Sequence, residues 1–336
     1  MKLRMLSLFS GIGAFEKALK NIGVDYELIN YCEIDSHASK CYSLIHGVSE
    51  DLNLKDVTAI NTMNIKDFDL LTHGSPCQSF SMAGKQEGGV KGSGTKSSLL
   101  WETVRIVKDK KPKYVVWENV KNVIGKKHLP VFNEYLKELK DLGYTNYYKI
   151  LNAKDFGIPQ NRERMFVISI LGEHNEYKFP LGFPLKKDLS MFLNFRKKDD
   201  ITYNFHRRYN QIHGEVSEEE FIEYIENLPI TKGIGTKKMN LYSFNEMNTI
   251  TTSTGLSCTL TCRGIQNYCT KFWYNKRIYK PSPKMCWLLM GFTEEDFNKV
   301  LPISKDKELW DRAGNSIVVP VLEAIFKELF LKSVTN

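Results

Sequence analysis

Between Met5 and Leu171 apolar residues fall into short runs separated by stretches with helical spacing. Met5–Phe9 predicts a strand ending at Gly11-Ile12-Gly13, and Phe15–Asn21 predicts the helix that follows. Glu27–Cys32 predicts a second strand, stopped by Glu33-Ile34-Asp35, and Phe68–Thr72 a third that runs into Gly74-Ser75-Pro76-Cys77. Tyr114–Trp117 is nearly all apolar and ends in Glu118-Asn119, while Leu129–Leu142 keeps a helical period up to Gly143. Tyr147–Leu151 and Met165–Leu171 complete the set. Continuous apolar strands alternating with helices predict a parallel sheet covered on both faces, a doubly wound α/β fold.

After Gly172 the alternation stops. Residues 173–280 hold aromatics, basic clusters and many Thr and Ser, and Pro281-Ser282-Pro283 marks a boundary. Lys284–Gly291 then reads as a short helix and Ile317–Leu331 as a longer one. The expected plan is one domain from residues 1–172 plus about 281–336, with a smaller, irregular domain at about 173–280.

Composition narrows the class. The 336 residues are 42% hydrophobic and 26% charged with a mean hydropathy of -0.34, which excludes disorder. No apolar run approaches the ~18–20 residues of a membrane span. The opening Met1–Phe9 is too short in its apolar part for a signal peptide. Seven cysteines, an odd number, in a chain large enough to close its own core point to reduced thiols in a cytoplasm. Lys and Arg exceed Asp and Glu by 47 to 39, a net charge of +8, and residues 173–280 alone carry 16 basic against 12 acidic residues, net +4. That excess fits a polyanionic partner, though a lysine-rich solvated surface would read the same way.

Chemistry-bearing residues gather at strand ends. Gly11 and Gly13 allow a tight turn beside a ligand, and Glu33 at the end of the next strand is placed to bind ribose hydroxyls. No third glycine stands at dinucleotide spacing, so a nucleoside ligand without a pyrophosphate fits better. Cys77, before a loop with Gly84, Gly88, Gly89, Gly92 and Gly94, is positioned as a nucleophile, although a lone cysteine is more often a small buried residue. Glu118 leaves an apolar strand, where a carboxyl can act as an acid, and Gln160-x-Arg162-x-Arg164 offers two guanidiniums to an anionic or carbonyl-bearing substrate. Cys258, Cys262 and Cys269 match no common zinc spacing, so no metal is expected.

Taken in this order, these motifs resemble the DNA (cytosine-5) methyltransferase family over nearly all of the chain except the variable stretch. The resemblance implies a Rossmann-like S-adenosylmethionine-dependent methyltransferase domain and a target recognition domain. It implies cofactor contacts from Phe9, Gly11, Gly13, Glu33, Ile34, Asp56, Val57, Pro76, Leu99 and, in Gly314-Asn315-Ser316, Asn315. It also implies Cys77 as nucleophile, Glu118 as the group that holds the base, and Arg162 and Arg164 as the paired arginines. Gln78, Ser81, Lys96, Arg207, Arg208, Thr249 and Arg263 are the residues expected to touch DNA. Five of the ten arginines, Arg196, Arg207, Arg208, Arg263 and Arg277, lie in 173–280, and Arg263 is the leading candidate base reader because it closely follows Thr249-Ile250-Thr251-Thr252-Ser253. Departures are Lys280-Pro281-Ser282-Pro283-Lys284-Met285, where the family usually has Arg-x-Leu-Thr-x-Arg-Glu, a Gly291-Phe292-Thr293 without the common proline, and Lys96 where arginine is commoner.

The expected activity is methyl transfer from S-adenosylmethionine to carbon 5 of a flipped-out cytosine in double-stranded DNA. The expected setting is a monomer in a bacterial cytoplasm, encoded by the bacterium or a phage; any cognate restriction endonuclease would act separately, and the sequence leaves open whether one exists. A tRNA cytosine-5 methyltransferase is the first alternative, but the chain has Gln78-Ser79-Phe80-Ser81 after Pro76-Cys77 and no Cys-Phe-Thr tripeptide. A non-enzymatic DNA-binding module is the second, and it would not need Cys77, Glu118 and the arginine pair together.

Overall fold

The strand Leu3–Leu8 (β1) buries Met5, Leu6 and Leu8 completely, because it lies in the middle of a sheet with covered faces. The computed structural model to which it belongs describes residues 2–80, 88–186, 188–243, 245–261 and 270–331. The chain divides into two compact units. The first comprises residues 1–152, 163–181 and 319–336. Its six-stranded sheet has the order β2-β1-β3-β4-β6-β5, with β2 at Tyr26–Cys32, β3 at Leu70–His73, β4 at Tyr114–Val120, β5 at Tyr144–Asn152 and β6 at Glu163–Leu171.

The pairings among β2, β1, β3 and β4 are parallel. The expected parallel order holds over these four strands and ends there: β6 lies between β4 and β5 and runs antiparallel to both. An apolar run marks a buried strand but carries no information on its direction. Helices Ala14–Asn21 (α1), Ser36–His46 (α2), Leu100–Lys110 (α3) and Leu129–Asp141 (α4) cover the sheet. The C-terminal helix Val319–Phe326 returns to this unit, where Phe326 meets Phe15 with ring centroids 6.3 Å apart and Asn21 donates to Glu323 at 2.7 Å.

The second unit comprises residues 153–162 and 182–318. Its stretch before residue 281 is more regular than expected. A four-stranded sheet of order β10-β9-β8-β7 is built from strands of three or four residues: Thr236–Lys238 (β7), Thr249–Thr252 (β8), Phe272–Tyr274 (β9) and Arg277–Tyr279 (β10). Helices Thr202–His213 (α5) and Glu218–Asn227 (α6) contribute Phe205, Phe221 and Ile225 to one core with Ile250 and Ile278.

Residues 281–318, read from sequence as part of the first domain, pack in this second unit. Trp287 donates to the Leu309 carbonyl at 3.0 Å and Trp310 to that of Pro281 at 3.1 Å, so these helices close on one another. Arg196 holds them further, through Asp306 at 2.8 Å. Among the described residues no helix is long and apolar enough to cross a membrane.

Candidate active site

Three residues of the turn after β1 have left-handed backbone, namely Phe9 (φ 53°), Gly11 (φ 56°) and Gly13 (φ 77°). At Gly13 the requirement is also steric, since a Cβ there would lie 2.1 Å from Nε2 of His46. His46 in turn approaches the Ile12 carbonyl at 3.1 Å and fixes the turn from beneath. At Gly11 an added Cβ would meet nothing within 4 Å. The Gly11 N–H donates to Oε2 of Glu33 at 2.8 Å, so the turn and the acid ending β2 form one unit.

Glu33 is held by a residue that the sequence reading missed. Asn53 accepts from the Glu33 N–H at 3.0 Å and donates to its carbonyl at 2.9 Å. Asp56 caps a short 3-10 turn, and its Oδ1 accepts from both N–H and Oγ1 of Thr58, which hold the carboxyl below its usual range. Cys32 ends β2 just before Glu33. Burial first, then the charges of Glu33 and Asp56, pushes its thiol up to about 12, while Sγ donates to the Lys55 carbonyl at 3.2 Å. Beside Glu33, Ile34 is 75% exposed, an unusual position for an isoleucine, whereas Val57 is buried and Leu99 packs half-buried on the core.

β3 delivers Cys77. His73, its last residue, is fully buried and stacks on Trp117, and burial pushes its imidazole down to about 3, so it stays neutral inside the sheet. The following turn is tied to β4. Trp117 Nε1 donates to Ser75 Oγ at 3.0 Å, and Asn119 Nδ2 donates to the Ser75 carbonyl at 3.0 Å. On its other side Ser97 donates to the Pro76 carbonyl at 2.8 Å and accepts from the Ser79 N–H at 3.1 Å. The Phe80 N–H donates to the Cys77 carbonyl at 2.9 Å, and the Gly88 N–H to that of Ser79 at 2.9 Å. Ser75, Ser97 and Asn53 are ordinary polar residues in sequence, and only their partners reveal their roles. Cys77 is half-buried, and Gln78 and Lys96 are exposed.

Glu118, in β4, is 9% exposed, and its Oε1 lies 3.2 Å from Nε of Arg164 at the start of β6. Register explains the meeting: His73 pairs with Trp117 across β3 and β4, and Val120 pairs with Arg164 across β4 and β6. Because β6 is antiparallel, its first residues reach the rim where β3 and β4 end. The thiol, the carboxyl and one guanidinium therefore rise from three adjacent strands.

Arg162 behaves differently. It belongs to the second unit, where Nη1 donates to the Leu260 carbonyl at 2.7 Å and Nη2 to the carbonyls of Ser316 at 2.7 Å and Gly314 at 3.2 Å. Asn315, between the last two, is exposed. Of the DNA-facing candidates, Arg207 is exposed on α5, Thr249 is half-buried at the start of β8, and Arg208 donates to the Leu241 carbonyl at 3.2 Å. Ser81 and Arg263 lie outside the described residues. Two other arginines of the stretch are engaged by acids, which argues against their reading bases. Arg196 is clamped by Asp199 and Asp306, and Arg277 by Glu218 with Asp200 at 3.9 Å.

Comparison with known proteins gives the family of the chain. The family model for C-5 cytosine-specific DNA methylase matches residues 3–331. The type II methyltransferase M2.ScrFI of Lactococcus lactis subsp. cremoris is 33% identical over 380 residues, covering 98% of this chain and 99% of that protein. The orphan methyltransferase M.SPBetaI of Bacillus phage SPbeta is 30% identical over 437 residues, covering 98% and 97%. In fold, the crystal structure of S. pombe Dnmt2 methyltransferase superposes with a TM-score of 0.71 at 18% identity, covering 100% of both chains. With its glycine turn, Pro-Cys loop and Glu-Asn-Val strand end in one compact unit, the chain belongs to the C-5 cytosine-specific DNA methylase family.

Proposed function

We propose that this enzyme methylates carbon 5 of a cytosine flipped out of double-stranded DNA, through a covalent adduct between Cys77 and carbon 6. The observation that carries the reading is the delivery of Cys77, Glu118 and Arg164 by three adjacent strands, with Glu118 and Arg164 already 3.2 Å apart.

The residues around the first turn fit S-adenosylmethionine. A left-handed Gly11 beside Glu33, an acid at Asp56 and an exposed Ile34 offer hydroxyl acceptors, an amino-group acceptor and an apolar face for a nucleoside without phosphates. When bound, S-adenosylmethionine supplies an electrophilic methyl on a sulfonium sulfur. The chain's own residues make cytosine able to take it. Cys77 adds as thiolate to carbon 6, and the ring becomes an enamine whose carbon 5 is nucleophilic. Glu118 donates a proton or hydrogen bond to N3 as charge develops there, and Arg164 orients that carboxyl and faces the O2 carbonyl. After methylation a water takes the carbon 5 proton, the C–H electron pair restores the 5,6 double bond as the bond to Cys77 breaks and returns the thiolate, and N3 gives back to Glu118 the proton it had received. In a duplex both ring faces are stacked, which is why the base must be extruded first.

In this reading the second unit contacts DNA, and the protein works as a monomer in a bacterial cytoplasm, with any restriction endonuclease acting separately. Bisulfite sequencing of DNA from a host expressing the protein tests activity and site together. Protected cytosines in one recurring sequence are expected, and a pattern identical to that of the empty host would sink the proposal.

The cofactor residues give a separate expectation. Glu33→Ala and Asp56→Ala should each weaken S-adenosylmethionine binding by roughly 1–3 kcal/mol, the cost of losing a buried hydrogen bond to the ligand. Isothermal calorimetry without DNA measures it. Unchanged affinity in both variants would move the cofactor away from the β1 and β2 ends.

A further inference from the structure

The second unit contains a polar bracket that the catalytic chemistry does not use. Residues Pro159 to Arg162 lie alongside Ser257 to Leu260 and pair with them as two short extended segments. The Ser257 N–H donates to the Pro159 carbonyl at 2.9 Å, the Asn161 N–H to that of Ser257 at 2.7 Å, and Thr259 Oγ1 to that of Asn161 at 2.8 Å. Gln160 and Arg162 then take both polar groups of one peptide residue. Gln160 Oε1 accepts from the Leu260 N–H at 3.1 Å, and Arg162 Nη1 donates to the Leu260 carbonyl at 2.7 Å.

Each side chain also reaches a third segment. Gln160 Nε2 donates to the Leu289 carbonyl at 2.9 Å, and Arg162 Nη2 to the carbonyls of Gly314 and Ser316 on either side of Asn315. Gln160 is fully buried and Arg162 is 3% exposed, so these bonds are shielded from water and the charge-assisted ones are strong. Leu260 lies three residues before Arg263 in the basic part of the chain.

We infer that Gln160 and Arg162 are positioning residues for DNA recognition, which hold Ser257–Leu260 to the backbone at Leu289 and at Gly314 and Ser316 and do not touch the target cytosine. The inference rests on the proposed reading of the second unit as the part that contacts DNA. A guanidinium whose two terminal nitrogens are engaged by three backbone carbonyls is a cross-link, and its planar fork suits it to span them where a lysine ammonium would reach fewer. Arg164, two residues later, takes the catalytic role through Glu118. The two arginines of one motif thereby serve two different steps.

The test compares Arg162→Lys and Gln160→Leu with wild type on a duplex carrying the site found by bisulfite sequencing and on duplexes with single base-pair changes in it. Discrimination, as a ratio of kcat/KM, should fall by about tenfold or more, since a mismatch is ordinarily rejected by about that factor. Single-turnover methyl transfer at saturating cognate duplex should stay within about threefold of wild type, the pattern of lost binding and not of lost chemistry. Arg164→Lys should show the reverse, slower transfer with discrimination kept. Discrimination unchanged in both bracket variants overturns the inference, as does Arg162→Lys losing transfer while still rejecting mismatches. If those variants give no thermal unfolding transition, Thr259→Val decides, because it removes only the bond to Asn161 at a more exposed edge. It should lose discrimination by about threefold, and an unchanged ratio overturns the inference. A wild type that methylates nothing would instead fell the activity reading, and this inference with it.

Discussion

Cys77→Ser is expected to abolish methyl transfer to DNA, lowering it by about a thousandfold or more, while S-adenosylmethionine binding stays within a few-fold. The cause is local. The chemistry needs a thiolate at carbon 6, and a serine hydroxyl is a far weaker nucleophile at neutral pH. The substitution is nearly isosteric, and the turn that presents the side chain is held by Ser75, Ser97 and Asn119 through backbone groups that the change leaves intact. Incorporation of labelled methyl groups into DNA measures the loss. Incorporation above a few per cent of wild type would argue against a covalent adduct.

Glu118→Gln should be nearly as damaging, by about a hundredfold or more, because it removes the acid and keeps the shape. A second consequence separates it from Cys77→Ser. Arg164 is mostly buried and its side chain lies 3.2 Å from the Glu118 carboxyl, so the variant leaves that cation beside a neutral amide. A lower melting temperature is therefore expected for Glu118→Gln and not for Cys77→Ser, and calorimetric scans of the two side by side measure it. Near-normal turnover in Glu118→Gln would place the proton donor elsewhere.

Much of the catalytic unit was legible because its chemistry sits where apolar runs stop. Glu33, Cys77 and Glu118 each follow a run whose burial is set by hydrophobicity alone, and β1, β2, β3 and β4 occur within a few residues of their expected limits. Direction was not legible. Tyr147–Leu151 and Met165–Leu171 read as strands, but nothing in their composition says that β6 reverses, and only pairing reveals it. The second sheet was missed because strands such as Thr236–Lys238 and Arg277–Tyr279 are too short to show a period. Arg162 and Arg164 looked equivalent because they are alike and two apart. The strand begins at Glu163, between them, so only Arg164 is carried on the sheet.

That same boundary has a consequence for exchanging specificities between relatives by recombination. The chain passes from the second unit back to the first between Arg162 and Glu163. A chimera cut where the units part, at 152/153, 162/163, 181/182 and 318/319, would take Arg162, Gln160 and Gly314-Asn315-Ser316 from the donor and leave Arg164 with the recipient. One cut only at the edges of the variable stretch, near 172 and 281, would graft the donor's Leu260 segment onto the recipient's bracket. It would also part Arg196 from Asp306, which would then come from different parents. The workable unit of exchange is thus discontinuous, and its smallest piece is the ten residues 153–162.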